Sequence, residues 1–377
     1  MNLDDVRREI DETDDKILAL FLRRMELGKQ AMREKAYCGK PLVDRRRERE
    51  ILKKVTAASE DMSLYTRRLF KELMNLSRAY QSALTEGETA LSQTIRTMAV
   101  SDAVFPKMAT VACQGIEGAN AQQAADRLFS QGNVSYYESF EAVADAVRKG
   151  LCDFGVLPCE NSWVGTVRAT YDSLQQGGLC IVRSLKLFIR HELLARPGTA
   201  LSDIKEIISH EQALGQCRDF LAGLNGSVKI TTCANTALAA KIASEAFGTA
   251  AVSSPACAEL YGLSRVTNIP IQDSDNNYTR FICFSKKPVI YPGANRLSFM
   301  VSCKHEAGAL FSLIAAVDAL DAAILKLESR PLPGSDFDLL LFMDIEANVD
   351  DPGVIGMLNE LQRSSKDFLF LGNYQEI

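Results

Sequence analysis

The chain of 377 residues is poor in metal-binding and aromatic side chains, with three histidines (His191, His210, His305) and one tryptophan. None of its ten cysteines (38, 113, 152, 159, 180, 217, 233, 257, 283, 303) belongs to a Cys-x-x-Cys pair. A metal site is therefore not expected, and the thiols read as reduced and mostly buried, as in a cytoplasmic protein. No apolar run approaches the roughly 18 residues that a membrane helix needs, so no membrane partner is expected. The opening MNLDDVRREIDETDD has acidic residues where a secretory signal carries its apolar core. A basic excess is missing too: the net charge is −5, and the cations are interleaved with acids and lack an aromatic platform, which argues against a nucleic-acid partner. What remains is an ordinary globular composition, 47% hydrophobic and 24% charged, in a chain long enough for two or three cores.

Residues 1–87 contain one proline and three glycines (Gly28, Gly39, Gly87), and Leu3, Val6, Ile10, Thr13, Ile17 and Leu20 recur at helical spacing. The pattern predicts helices over about 3–36, 44–58 (capped by Asp44) and 62–86, making an all-α module. This module holds 19 basic against 16 acidic residues, so the rest of the chain carries −8; the cationic surplus suits a small anion. Residues 88–106 are weakly patterned and end in a proline, as an interdomain linker does. From 107 to 287, runs such as ATVAC, FGVLP, AAVSS and TRFICF alternate with Ala-rich stretches, which predicts an α/β module with a largely parallel sheet and room for two lobes and a cleft. After the Pro/Gly-containing KKPVIYPGAN, residues 295–377 read βαββαβ, an α+β ferredoxin-like module.

On the first helix Arg24 keeps step with Ile10, Ile17 and Leu20, so the apolar seam carries a guanidinium inward, where an unpaired charge costs several kcal/mol. Lys35 lies eleven residues further, about 20° of rotation and about 16 Å of rise, and both can reach one small anion. Arg7 lies roughly 25 Å from Arg24 along a straight helix and can share that anion only from a partner subunit, so an interlocked homodimer or higher homo-oligomer follows if Arg7 is a ligand residue. The plainer alternative is that Arg24, Lys35 and Arg47 pair with Glu26, Glu34 or Glu50 on solvated faces. Arg7, Arg24, Lys35, Asp44, Arg47, Glu48, Ser77 and Gln81 together resemble the active-site set of all-helical chorismate mutases. The resemblance implies that Arg7, Arg24 and Ser77 hold carboxylates, with Arg47 adding a contact; that Lys35 and Gln81 face the ether oxygen; and that Glu48 and the Asp44 backbone position the ring hydroxyl. A Claisen rearrangement needs no acid, base or nucleophile, only a folded substrate and stabilised charge on oxygen.

In the α/β module, QGIEGAN (114–120), PCENSWVGT (158–166), SHEQALGQC (209–217) and NNYTRF (276–281) place polar residues at strand ends, where ligands bind in such sheets. Two glycines in GIEG do not make a dinucleotide fingerprint. The four segments resemble prephenate dehydratases. By that resemblance Thr279 acts at the leaving hydroxyl, Arg280 attracts a carboxylate, and Glu160, Asn161, Ser209 and Gln216 orient the substrate, with no metal or organic cofactor; His210 reads as structural. The run Cys113–Ala121 departs from the family's aromatic-Leu-Gly-Pro-x-Gly-Thr-aromatic-Ser pattern, losing two hydroxyls and an aromatic but keeping the glycines and their backbone donors.

The C-terminal βαββαβ pattern, with AGAL (307–310) opening a helix and ESRP (328–331) ending a strand, resembles the ACT domains of phenylalanine-regulated enzymes. It implies L-phenylalanine as effector, bound near Gly308, Ala309 and Leu310 with Glu328, Ser329 and Arg330 facing them; Phe337 stands where the family often has tryptophan. In order, the modules resemble the bifunctional chorismate mutase and prephenate dehydratase family of phenylalanine biosynthesis, with a two-lobed centre of the periplasmic-binding-protein kind and chorismate and prephenate as substrates. Loss of activity in one module is the rival within enzymes. The rival from another class is a non-catalytic amino-acid sensor, which does not require Lys35 and Gln81 with Arg24, or Thr279 with Arg280.

Overall fold

The computed structural model describes residues 2–377 except 40, 42–43, 88, 100–102, 225, 227, 333 and 335–337; Phe337 thus lies outside the described residues. Three helices open the chain: α1 (Leu3–Tyr37), α2 (Arg45–Ala57) and α3 (Ser63–Glu86). Asn2 starts α1 with a reciprocal capping box, its side chain accepting from Asp5 N and Asp5 accepting from Asn2 N, and Gly39, at φ +65°, lies just past its end. Asp44 caps α2 as expected, accepting from Arg47 N at 3.0 Å. The apolar seam of α1 is not covered within one chain: Ile10, Ile17 and Leu20 are 51%, 58% and 69% exposed.

The stretch expected to be a linker contains a helix, α4 (Ala90–Met98). Thr89 caps it, Ile95 is buried among Ile290, Leu297 and Phe299, and Ser92 Oγ donates to Asn359 Oδ1 at 2.7 Å. A nine-residue helix is marginal alone, so docking stabilises it where sequence patterning is weak.

The central module begins with β1 (Met108–Gln114), α5 (Asn120–Leu128), β2 (Gln131–Tyr137), α6 (Phe140–Arg148), β3 (Phe154–Asn161), the short β4 (Gly165–Thr166), α7 (Arg168–Gln175) and β5 (Cys180–Phe188). The chain then builds a second lobe from β6 (Glu192–Ala195), β7 (Glu206–Ser209), α8 (Glu211–Gly215), α9 (Arg218–Ala222), β8 (Lys229–Thr232), α10 (Thr236–Glu245), β9 (Thr249–Ser253), α11 (Pro255–Leu260) and β10 (Ser264–Arg265). It returns to the first lobe as β11 (Tyr278–Ser285). The sheets are mixed, not largely parallel: β1, β2 and β3 are parallel, but β11 runs antiparallel to both β3 and β5. β11 follows the excursion into the second lobe, so no right-handed helical crossover sets its direction.

The C-terminal module is β12 (Arg296–Cys303), α12 (Ala309–Asp318), β13 (Ile324–Pro331), β14 (Leu339–Ile345), α13 (Pro352–Ser364) and β15 (Phe368–Glu376), the expected βαββαβ order, with antiparallel strands arranged β13-β14-β12-β15. Unexpectedly, the end of β15 pairs parallel to β5 (Gln375 with Arg183, Glu376 with Ser184), which joins both modules in one ten-stranded sheet. Gly372 permits the junction, since a Cβ there would lie 2.2 Å from Ile181 O. Among the described residues no helix is long and apolar enough to cross a membrane.

Candidate active sites

In the helical module α1 crosses α3 at Gly28, where an added Cβ would stand 2.8 Å from Ser77 Oγ and 3.0 Å from Gln81 Nε2. Ser77 is buried and accepts from Gln81 Nε2 at 2.9 Å. One turn earlier on α3, the Leu73 carbonyl accepts from Arg24 Nη1 at 2.8 Å, and partial burial lowers the Arg24 pKa. Arg24, Ser77 and Gln81 are thus brought to one helix crossing. Lys35 lies near Asp44, whose carboxyl is held below the usual range first by the Arg47 backbone N–H and further by the Lys35 charge. Glu48 pairs with Arg78 Nη1 at 2.6 Å, while Arg47 lies 3.5 Å from Glu50, one of the plainer pairings considered for it. Arg7 sits near the N-terminus of α1, 3.6 Å from Asp4, and is not brought to the crossing within the same chain.

Sequence reasoning missed Gly28 and Arg78 as site neighbours. Gly28 was visible as one of three glycines, but its contact depends on how α1 and α3 cross.

In the central module, side chains alternate along β3 and β11, and the register pairs Asn161 with Thr279 and Glu160 with Arg280. Asn161 and Thr279 face the second lobe. Asn161 Oδ1 accepts from Trp163 N and Val164 N at 2.9 and 3.0 Å, which fixes its amide, and its Nδ2 donates to Thr279 Oγ1 at 3.0 Å and Asn277 Oδ1 at 2.9 Å. Asn277 Nδ2 in turn donates to Gln216 Oε1 at 2.9 Å, crossing to the second lobe. Gln216 Oε1 lies 2.8 Å from His191 Nε2, and because that oxygen accepts, the ring carries its proton on Nε2. His191 Nδ1 is buried without a partner among the described residues, and burial lowers the His191 pKa from the ordinary 6.5, partly offset by Gln216. The imidazole is therefore neutral near pH 7. His191 belongs to this network although the sequence offered only its residue type.

Of the other expected substrate contacts, Arg280 and Glu160 turn toward the C-terminal module and Ser209 is engaged internally. Arg280, expected at a carboxylate of the substrate, is buried on the opposite face: Nη1 lies 2.5 Å from Asp344 Oδ2, Nη2 donates to Tyr374 Oη at 2.8 Å, and Nε lies 2.8 Å from Glu376 Oε2 without hydrogen-bond alignment. Burial opposes its charge, but Tyr374 and Asp344 outweigh burial and keep the guanidinium protonated. Glu160 points the same way and accepts from Lys326 Nζ at 3.0 Å. Ser209 is fully buried, its hydroxyl donating to Val252 O at 2.6 Å. His210 caps α8, accepting from Gln212 N at 3.3 Å.

Gly115 and Gly118 have φ of +106° and +88°, and a Cβ on Gly118 would meet Leu260 at 2.8 Å, so backbone and space both require glycine there. Their N–H groups, the backbone donors that the run keeps, are engaged internally by Tyr137 O and Gln122 Oε1.

In the C-terminal module Gly308, at φ +95°, precedes α12. With Ala309 it lines a cavity of about 670 Å³ shared with Glu48, Arg68, Lys71 and Arg78 of the helical module. Leu310 is partly exposed. Glu328, Ser329 and Arg330 sit on β13 against β14; Arg330 pairs with Glu328 at 3.0 Å and with Asp172 of α7.

The family models of chorismate mutase type II and prephenate dehydratase match residues 6–82 and 111–289. The chain is 35% identical over 277 residues to arogenate dehydratase/prephenate dehydratase 2 of Arabidopsis thaliana, covering 70% of this chain and 72% of the relative. It is 28% identical over 379 residues to the bifunctional chorismate mutase/prephenate dehydratase of Escherichia coli K12, covering 98% and 95%. Among solved structures, prephenate dehydratase from Arthrobacter aurescens in complex with L-Phe superposes with a TM-score of 0.65 at 28% identity, covering 70% of this chain and 89% of that one. A protein described as a quorum-quenching acylase, GqqA, gives 0.64 at 27%, covering 71% and 98%. With its two modules matched separately and a bifunctional relative aligned along nearly its whole length, the chain belongs to the prephenate dehydratase family and joins that activity to a chorismate mutase of type II in one polypeptide.

Proposed function

We propose that the helical module folds chorismate for rearrangement to prephenate, that the cleft of the central module converts prephenate to phenylpyruvate, and that L-phenylalanine bound to the C-terminal module restrains the pathway. The observation that carries this reading is the Asn161–Thr279 pair. Asn161 donates to Thr279 Oγ1, so the threonine's own O–H is left to point at the departing hydroxyl. That group leaves as water, taking up one proton, while the ring carboxylate leaves as carbon dioxide and its bonding electrons make the ring aromatic. Asn277 and Gln216 orient the amide from behind.

In the helical module, Arg24, Ser77 and Gln81 supply a cation and neutral hydrogen-bonding groups at one crossing, with Lys35 completing the set. This suits a reaction that needs charge stabilisation but no proton transfer. The exposed apolar seam of α1 supports a homodimer in which the partner's α1 covers it and brings its own Arg7 to the site. The phenylalanine reading is supported by the βαββαβ order, the positive φ of Gly308 and the L-Phe complex of the Arthrobacter aurescens structure.

The test is to supply chorismate alone and follow prephenate and phenylpyruvate together, with and without phenylalanine. Phenylpyruvate that phenylalanine suppresses is the expected result. Prephenate accumulating without phenylpyruvate would refute the dehydratase half, and no turnover would leave only a sensor.

A further inference from the structure

The alternation that turns Asn161 and Thr279 toward the cleft turns their immediate neighbours, Glu160 and Arg280, toward the C-terminal module. There Lys326 of β13 bridges Glu160 (3.0 Å) and Thr166 Oγ1 (2.6 Å) and lies 3.7 Å from Glu328. Arg280 is gripped by Asp344 of β14 and by Tyr374 and Glu376 of β15, and Ser298 of β12 donates to Asp344 at 2.5 Å. Three strands of the C-terminal module, β13, β14 and β15, thus hold the two residues next in sequence to the Asn161–Thr279 pair, and β12 braces them through Asp344. A buried ion cluster is costly to break one partner at a time, so it moves as a unit. The β15–β5 pairing gives the same unit a second, backbone connection, since β5 neighbours β11.

We infer that Glu160 and Arg280 are positioning residues through which the C-terminal module sets the Asn161–Thr279 geometry, and that Lys326 carries the state of the β13 segment Glu328–Arg330 to Glu160. The second part rests on the phenylalanine reading; the first does not. A displacement of β13 pulls Glu160 and so moves Asn161 relative to Thr279, changing dehydratase turnover without changing any group that meets the substrate.

Removing Arg280 or Asp344 leaves a buried charge unpaired and risks unfolding. The decisive variant is Lys326→Met, because Glu160 is only partly buried and can be solvated once released. In one preparation, mutase turnover, dehydratase kcat and KM, and phenylalanine binding by calorimetry are measured. The mutase rate is expected to match the parent's, and KM for prephenate to stay within about twofold. Dehydratase kcat is expected to fall roughly tenfold or more, since small misplacements near reacting groups cost that much. Phenylalanine should still bind but inhibit far less. A merely structural lysine would lower stability and spare kcat, so parent-like kcat with parent-like inhibition overturns the inference. If the parent itself binds no phenylalanine, the effector reading falls by itself, and the variant's kcat still decides whether the module positions these strands.

Discussion

Thr279 carries one heavy chemical demand on a weakly acidic hydroxyl, so Thr279→Val is expected to lower dehydratase turnover on the order of 100-fold or more while mutase turnover in the same protein stays intact. Separate assays with prephenate and chorismate check this, and undiminished phenylpyruvate formation would remove Thr279 from the mechanism. His191 gives a second test. Its folded pKa lies below 6.5, so its neutral form favours the fold fully above that value; as pH falls, the unfolded chain takes up the proton first and stability is lost through the folded pKa. His191→Gln keeps a donor for Gln216 but cannot titrate. The parent's melting temperature is therefore expected to drop more than the variant's between about pH 7 and 5, and identical profiles would show that burial of the imidazole has no such cost. Three of the buried cysteines are kept out of this chemistry: burial pushes Cys159, Cys180 and Cys217 up to about 12, far from a reactive thiolate.

At the scale of elements, two glycines set distances between strands and helices. Gly28 lets α1 pack directly against the Ser77–Gln81 pair of α3. Gly28→Val is expected to displace that pair and cut mutase kcat/KM by roughly tenfold or more, leaving dehydratase kinetics unchanged, as steady-state assays of both steps will show. Gly372 lies against the backbone of β5, with no flexible side chain to yield. Gly372→Ala is expected to cost about 1–3 kcal/mol by overpacking, read as a lower urea midpoint. A parent-like midpoint would mean that the β15–β5 junction opens without consequence.

For the whole molecule, the uncovered seam of α1 and the length of that helix belong together. Ile17→Glu with Leu20→Glu is expected to yield a smaller species in sedimentation and to abolish mutase turnover, because Arg7 can then no longer arrive from a partner; a dimer of parental mass with full activity would refute the interlocked arrangement. The same scale explains why three modules share one chain. The docked α4 and the hydrogen bond from Asn75 of α3 to Ser312 of α12 tie the C-terminal module to the helical one, and the ten-stranded sheet ties it to the dehydratase.

Local rules were enough for much of this. Helical periodicity and a single proline, Pro41 between α1 and α2, place α1, α2 and α3 within a residue or two of their observed ends, Asp44 caps as its type suggests, and the βαββαβ order is readable from runs and breaks. The positions of Arg24, Ser77 and Gln81 follow from helical spacing, and Asn161 and Thr279 lie at adjoining strand ends. The direction of β11 was not legible, because it depends on a chain that leaves for a second lobe and returns. Nor was the fate of Glu160 and Arg280: a period of two predicts that each faces away from its neighbour, but not which face meets the cleft. Lys326, Glu328 and Arg330 alternate on one side of β13, a visible charged row whose partners come from β3 and α7, distant in sequence. Sequence by itself determined which elements form and which chemical groups they carry, since those depend on near neighbours. Tertiary structure decided which of those groups share a site and which brace it from behind, since that depends on register and packing between segments more than a hundred residues apart.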